Sequence, residues 1–381
     1  MLQFGKRCNR NWKKMAINNY RVENEEQLSR MSAFLRLLLK ISFIPLALDE
    51  TMEKITFRMW SRQTAYFLLY FLMVATIMDV GIFYIWGLDN FLDLFINMYK
   101  DNTTDFLTYC VLLIFSAGSN FQFKQFYGIS KISSELVLAK NLRWPKQGTI
   151  LLFITILCLI SQIIWCVCIV KARSKINFMS FIWLTVGYTF SFLYSYTIVF
   201  ILFIFYLTWM EHFSVICEER NDTTNCIQQT QKCLHIYKSI QDGLGATFSD
   251  FFLSFQIIIV ITLYMCISTA FFGPYDTLSN TIVSICYAIM FLYCGTSLYT
   301  LILAAERSYV SLQTLVKPLT ISMMRENDTE TKIEIQLLLK EIEKVPPLNG
   351  NGYFELKKET LTSITSTTVT YLIILLQFRN S

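Results

Sequence analysis

Apolar residues in this 381-residue chain gather into seven long blocks, at 62–86, 104–124, 149–171, 179–207, 248–272, 281–303 and 360–378. Wound as a helix, each block can cross a hydrocarbon core of ~30 Å, which needs ~20 residues. The fourth is long enough to tilt or to project from the bilayer. The seventh is the least apolar, with Thr and Ser crowded into its first half. Read at helical steps, it places Ser363, Thr367, Thr370, Ile374, Gln377 and Ser381 on one stripe. The neighbouring face carries Leu372, Ile373, Leu375 and Leu376. Hydroxyls and an amide in hydrocarbon are costly unless they meet a partner or water. The stripe therefore predicts either a water-facing surface or a helix–helix contact. One such helix cannot enclose a pore, but several copies around a symmetry axis can.

The segments between the blocks refine this picture. Residues 33–48 are apolar but interrupted by Arg36 and Lys40, which predicts an amphipathic interfacial helix rather than a span. The connections 87–103, 172–178 and 273–280 are short. Those on the other side are longer and keep helical apolar spacing, as in 123–142, 208–238 and 308–324. The spans are thus expected to continue past the membrane as a helical bundle. Residues 329–345 predict an amphipathic helix with Ile333, Ile335, Leu338, Leu339 and Ile342 as its stripe, ended by Pro346-Pro347. Asn349-Gly350-Asn351-Gly352 reads as a turn, after which the last helix starts. The expected organisation is all-α. A segment 1–61 holds the amphipathic helix, a six-helix membrane bundle covers 62–328, and 329–381 carries an amphipathic helix followed by the last membrane helix.

Composition agrees with the pattern: 54% of residues are hydrophobic and 16% charged. A soluble chain carries more charge. Of the 33 basic residues, 28 fall on the side that holds the N-terminus and the longer connections. The positive-inside rule then predicts a cytoplasmic N-terminus and, with seven spans, an extracellular C-terminus. The cluster at Lys171, Arg173 and Lys175 is the local exception. The net charge of +5 is mostly this bias and gives no argument for nucleic-acid binding. No cleavable leader is expected, because the first thirty residues lack an apolar core.

The eleven cysteines fall within spans or on the cytoplasmic side, which predicts no disulfide framework. His212, Cys217, Cys226, Cys233 and His235 match no zinc spacing, so no metal site is expected. Asp79, inside the first span, is a candidate for ligand or ion binding. Asn102-Thr103-Thr104 is a glycosylation sequon in an outside loop, so Asn102 is the candidate acceptor. The sequons at Asn221 and Asn327 face the cytosol in this topology. Tyr109, Gln162, Trp165, Trp183, Tyr188, Tyr264 and Tyr287 fall in the outer halves of spans. Rings that stack on a ligand, beside groups that orient it, suit a small-molecule pocket.

The C-terminus reads Thr370-Tyr371, five apolar residues, then Gln377-Phe378. It resembles the signature of insect gustatory receptors at all four fixed positions. The run Gly352-Tyr353-Phe354-Glu355-Leu356 is similar to the segment that leads into that helix in the same family. Outside the last ~35 residues the resemblance is architectural: span number, inverted topology and cytoplasmic extensions. It implies a ligand-gated, non-selective channel for monovalent and divalent cations in the plasma membrane of a sensory neuron. Such channels are homotetramers or heteromers with other gustatory receptors. The last helix of each subunit lines the pore, with Ser363, Thr367, Thr370 and Ile374 on the wall and Gln377 and Phe378 at the gate. Cytoplasmic helices form an anchor, and a small-molecule tastant binds in the outer half of the bundle. Sugar-type members carry an acid after the Thr-Tyr pair, where this chain has Leu372. That leaves fructose-type and bitter-type ligands open.

No enzyme signature or cofactor motif is present in the sequence. A G-protein-coupled receptor needs an extracellular N-terminus, against the basic-residue count, and an acidic-Arg-aromatic triplet at the inner end of span three. A secondary transporter shows internal repeats and broken helices, and the sequence has neither. An odorant receptor of the same superfamily shares the topology without the full C-terminal signature.

Overall fold

The computed structural model describes residues 46–49, 54–57, 65, 146–172, 199–200, 203–204, 206–214, 216–217, 226–272 and 277–380. The first two predicted spans, apart from Ala65, and most of the fourth lie outside these residues. So do Asp79 and Asn102.

The described chain is helical apart from one hairpin. Strand β1 (Leu46–Asp49) pairs antiparallel with β2 (Lys54–Phe57), in a register that sets Leu46 against Phe57 and Leu48 against Ile55. The hairpin corrects the expectation of an amphipathic helix running to residue 48, while the all-α class stands. A proline at position 45 has no N–H to donate, which disfavours a helix continuing through that position. The Ile55-Thr56-Phe57 run that follows favours an extended strand.

Helix α1 (Lys146–Ala172) corresponds to the third predicted span. Helical residues from 199 to 217 continue the fourth. Helix α2 (Cys226–Phe272) has 47 residues and α3 (Thr277–Gln313) has 37. At 1.5 Å per residue α2 is ~70 Å long, more than twice the hydrocarbon thickness, so about half of it projects from the bilayer. Because α3 begins at Thr277, the expected connection 273–280 is shorter than the sequence pattern suggested. Four described helices, α1, α2, α3 and α6 (Lys358–Asn380), are long and apolar enough to cross a membrane. The chain is a multi-pass membrane protein.

The core lies where α2, α3 and the 199–217 segment meet. Phe203 sits 5.1 Å from Phe251 and 5.5 Å from Phe255, which in turn meets Tyr293 of α3 at 6.5 Å. Tyr206 continues the column onto Phe248. Polar clamps fix the helix pairs between these rings. Ser284 Oγ donates to the Cys266 carbonyl at 2.8 Å, and Ser308 Oγ to the Met210 carbonyl at 3.1 Å.

Residues 308–324 do not form one continuous helix. A turn at Thr314-Leu315 separates α3 from α4 (Val316–Arg325). Pro318 explains the break. It cannot donate to the Thr314 carbonyl, yet it is tolerated in the first turn of a new helix. Helix α5 (Thr329–Lys344) follows, with Asp328 as its N-cap. The Asp328 carboxylate accepts from the Thr331 hydroxyl at 2.6 Å and amide at 3.0 Å, and from the Glu330 amide. Ile335, Leu338 and Ile342 of α5 are buried and Leu339 is half-buried, but Ile333 is exposed and lies off the packed stripe.

The hydrogen bonds from Thr331 hold the Asp328 pKa below its ordinary value of 3.8. A depressed carboxylate contributes stability above its unfolded pKa and loses it as pH falls through the folded value. Asp328→Ala is therefore expected to speed hydrogen exchange at the Glu330 and Thr331 amides at neutral pH. The difference from the parent chain should vanish once acidification protonates Asp328. A difference that persists unchanged there contradicts this account.

Candidate functional site: the last helix and its cradle

The last helix is positioned by a seam that runs along the projecting half of α2. Gln231 Nε2 donates to Glu334 Oε1 at 3.0 Å, and Lys238 pairs with Glu341. The Tyr237 hydroxyl donates to the Pro346 carbonyl at 3.2 Å. Burial raises the pKa of that phenol, which keeps it a donor. Next comes Gln241, which accepts from the Asn349 amide at 2.8 Å and donates to the Asn349 carbonyl at 3.1 Å and Oδ1 at 3.0 Å. Further along, Phe252 stacks on Phe354 with ring centroids 4.0 Å apart. The contacts ascend both segments in the same order, so α5 and the turn after it run parallel to α2.

The turn has its own logic. Pro346-Pro347 ends α5, and Gln313 Nε2 donates to the Ile342 carbonyl in the last turn of that helix. Gly350 and Phe354 close a small loop through the Gly350 amide and the Phe354 carbonyl. Asn351 and Gly352 take positive φ values of 55° and 83°, where Asn and Gly are the cheapest residues. A Cβ on Gly245 would lie 2.9 Å from Gln241 Nε2 and 3.5 Å from the Asn349 carbonyl. The glycine lets the turn approach α2 closely. Lys358, the first residue of α6, reaches Glu306 of α3 at 3.4 Å.

Helix α6 buries little of itself. Only 11% of its most apolar stretch is buried, against 39–56% for the other three candidate spans. Ile364 and Thr368 are buried, and Leu361, Leu372, Leu375 and Leu376 pack partly on the core. The polar stripe lies about 150° around the helix from that face. Ser363, Thr370, Ile374 and Gln377 are exposed and Thr367 is half-buried. Phe378 belongs to the helix, but its side chain lies outside the described residues. Within this chain Tyr371 is 54% exposed. The Thr367 and Thr370 hydroxyls donate back to the Ser363 and Ser366 carbonyls at 2.8 and 3.0 Å. Their protons point along the helix, and their lone pairs remain for whatever the stripe faces.

Of the seven aromatic and amide candidates, Tyr109, Trp183 and Tyr188 lie outside the described residues. Gln162 and Trp165 of α1 are buried against α3. Gln162 Nε2 lies 3.6 Å from the Met290 sulfur, and Trp165 meets Tyr287 edge-on at 6.3 Å. Tyr264 is buried on α2. Three of the candidates thus form one seam between α1 and α3. Among the described residues, no three His, Cys, Asp or Glu side chains gather into a metal-binding group. Gln241 and Gly245, which the sequence reading passed over, matter most for placing α6. Their signal was a glutamine four residues before a glycine inside a long helix.

No protein-family model matches the chain. The gustatory and odorant receptor 21a of Drosophila melanogaster is 30% identical over 99 residues, 26% of this chain and 20% of that receptor. The chain thus matches about a fifth of the length of this curated relative. The structure of the olfactory receptor OR5 from Machilis hrabei in complex with eugenol superposes with a TM-score of 0.62 at 13% identity. It covers 93% of this chain and 100% of that one. A second structure of the same receptor gives 0.57 at 12% identity with the same coverage. The fold is that of an insect olfactory receptor, and the resemblance to insect chemoreceptors holds in sequence and in architecture. These relatives are receptors, not enzymes.

Replacing Gln241 with Leu removes the acceptor of the Asn349 amide and both donors to Asn349. Leaving such part-buried groups unmet costs about 1–3 kcal/mol. Gln241→Leu should lower the thermal unfolding midpoint of the detergent-solubilised protein and raise protease sensitivity within 346–358. An unchanged midpoint and cleavage pattern would mean that α5 alone holds the turn.

Proposed function

We propose that this chain is a subunit of a ligand-gated, non-selective cation channel of the insect gustatory and odorant receptor superfamily. The observation that carries the reading is α6, a membrane-length helix whose hydroxyl and amide stripe is left uncovered by its own subunit. Four or so copies around an axis would turn that stripe to water and cover the remaining apolar face. The seven spans, cytoplasmic N-terminus and extracellular C-terminus of the sequence reading fit this assembly, as does its division at 61 and 328. Hydroxyls that donate to their own backbone offer oxygen lone pairs outward, which suits a cation path. Gln377 and Phe378 would close the outer mouth by steric occlusion and dewetting. The projecting half of α2, with α4 and α5, would be the anchor that holds subunits together.

The proposed ligand is a small molecule bound in the outer half of the bundle, beside the Trp165–Tyr287 seam. Tastant recognition, as a bitter plant compound or a fructose-like sugar, follows the C-terminal signature. An odorant reading is favoured by the olfactory receptor that superposes over its whole length, solved in complex with eugenol. The site would be the plasma membrane of a sensory neuron, with homomers or heteromers as the working unit.

Cells expressing the chain alone are expected to give a cation current without G-protein signalling, when screened with sugars, plant alkaloids and phenolic volatiles such as eugenol. Gln377→Ala should raise the basal current or shift the ligand response at unchanged surface expression. Saturable uptake of a labelled compound, with no current in either protein, would favour a transporter instead.

A further inference from the structure

The first turn of α6 borders a cavity of about 470 Å³, which Lys358 lines together with Gln147 of α1, helical residues from 207 to 211, and α3. On that side the helix meets open space rather than packed side chains. Among the described residues, one ion pair joins α6 to another helix. The Lys358 ammonium lies 3.4 Å from Glu306 Oε2 of α3. We propose that Glu306 is a positioning residue: it pins the start of α6 to α3 through Lys358 and sets the seat from which that helix crosses the membrane. The pin stands apart from the channel reading, and its effect on current rests on that reading.

The two partners stand in different surroundings. Lys358 is 64% exposed and reaches water, whereas the Glu306 side chain is 23% exposed. Glu306 Oε2 is shut off from solvent and accepts no hydrogen bond, so the Lys358 ammonium is what meets its charge. A buried carboxylate stripped of its cation keeps an uncompensated charge, which costs far more than the loss of a pair at the surface. Glu306 therefore needs Lys358 more than Lys358 needs Glu306.

Beyond its first turn α6 has no such tie. Only 11% of its most apolar stretch is buried. The hydroxyls of Thr365, Thr367 and Thr370 bond to carbonyls of the same helix and hold no neighbour. Reseating that part exchanges one set of shallow apolar contacts for another. Moving the start uncovers a charge. The two costs differ so much that the Lys358 end is the fixed end of α6, and the rest is the part free to reseat.

The test is hydrogen exchange, read by mass spectrometry on the full-length protein in detergent. Lys358→Met is expected to speed exchange roughly tenfold across 360–367, with 231–241 in α2 unchanged. Glu306→Gln should do less, because the freed ammonium is solvated, and the combined variant should resemble Glu306→Gln. Lys358→Arg, which keeps the charge, should resemble the parent protein. In cells, Lys358→Met should raise the basal current at unchanged surface expression, and adding Glu306→Gln should bring it back down. The proposal is overturned if Glu306→Gln disturbs 360–367 as much as Lys358→Met does, or if the combined variant is no better than Lys358→Met. Faster exchange in both regions is general destabilisation and overturns it too. Should Lys358→Met fail to fold, the combined variant decides, with recovery supporting the pin and failure overturning it. A parent protein without current counts against the channel reading alone, since the exchange pattern still decides the pin.

Discussion

The described structure depends on how one amide side chain meets one turn. Gln241 exchanges hydrogen bonds with both the amide and the carbonyl of Asn349, as a neighbouring β-strand would. The exchange replaces the backbone partners that Pro346-Pro347 and the turn deny to this stretch. Gly245, one helical turn further along α2, leaves it room, since a Cβ there would lie 2.9 Å from Gln241 Nε2. With Phe252 against Phe354 beyond it, the pair sets where the chain leaves α5 and where α6 begins. Everything said of α6 presupposes that fixed starting point.

From there the energetics change character. Helices α1, α2 and α3 bury aromatic and aliphatic side chains against one another and close their polar contacts in pairs, as Ser284 does with Cys266. Helix α6 instead rests one narrow face on the core and leaves its threonines to satisfy themselves through their own backbone. An isolated subunit therefore presents apolar and polar faces together on the same helix, a combination that neither lipid nor water covers well. That tension is the physical content of the assembly proposed above.

How legible this was in the sequence depended on the range of the interaction. Runs of apolar residues fix α1, α2, α3 and α6 because burial in lipid needs only length and composition. The period of Ile335, Leu338 and Ile342, closed by two prolines, gave α5 nearly to its ends. Pro45 and Pro318 carried local signals of the hairpin and of the break before α4, and the helical spacing around them masked both. Ile333 fits the period of α5 but lies beyond the reach of α2 and α4. The Gln241–Asn349 exchange was invisible for a different reason. It joins residues 108 positions apart, and nothing in either local pattern singles out that partner. Of the outer candidates, Gln162, Trp165 and Tyr287 meet because α1 and α3 pack side by side, which their residue types alone could not establish.

The parallel seam between α2 and α5 also has a temporal meaning. During synthesis the cradle residues from Gln231 to Phe252 emerge about a hundred residues before the segment they receive. By the time Lys358 and the helix behind it leave the ribosome, α2 and α3 already exist to dock them. Closing so long a loop costs conformational entropy, and two prolines and a turn with fixed φ reduce what must still be ordered. Among the described helices, the one with the least cover of its own is thus made after α2 and α3, and it arrives at a surface already built.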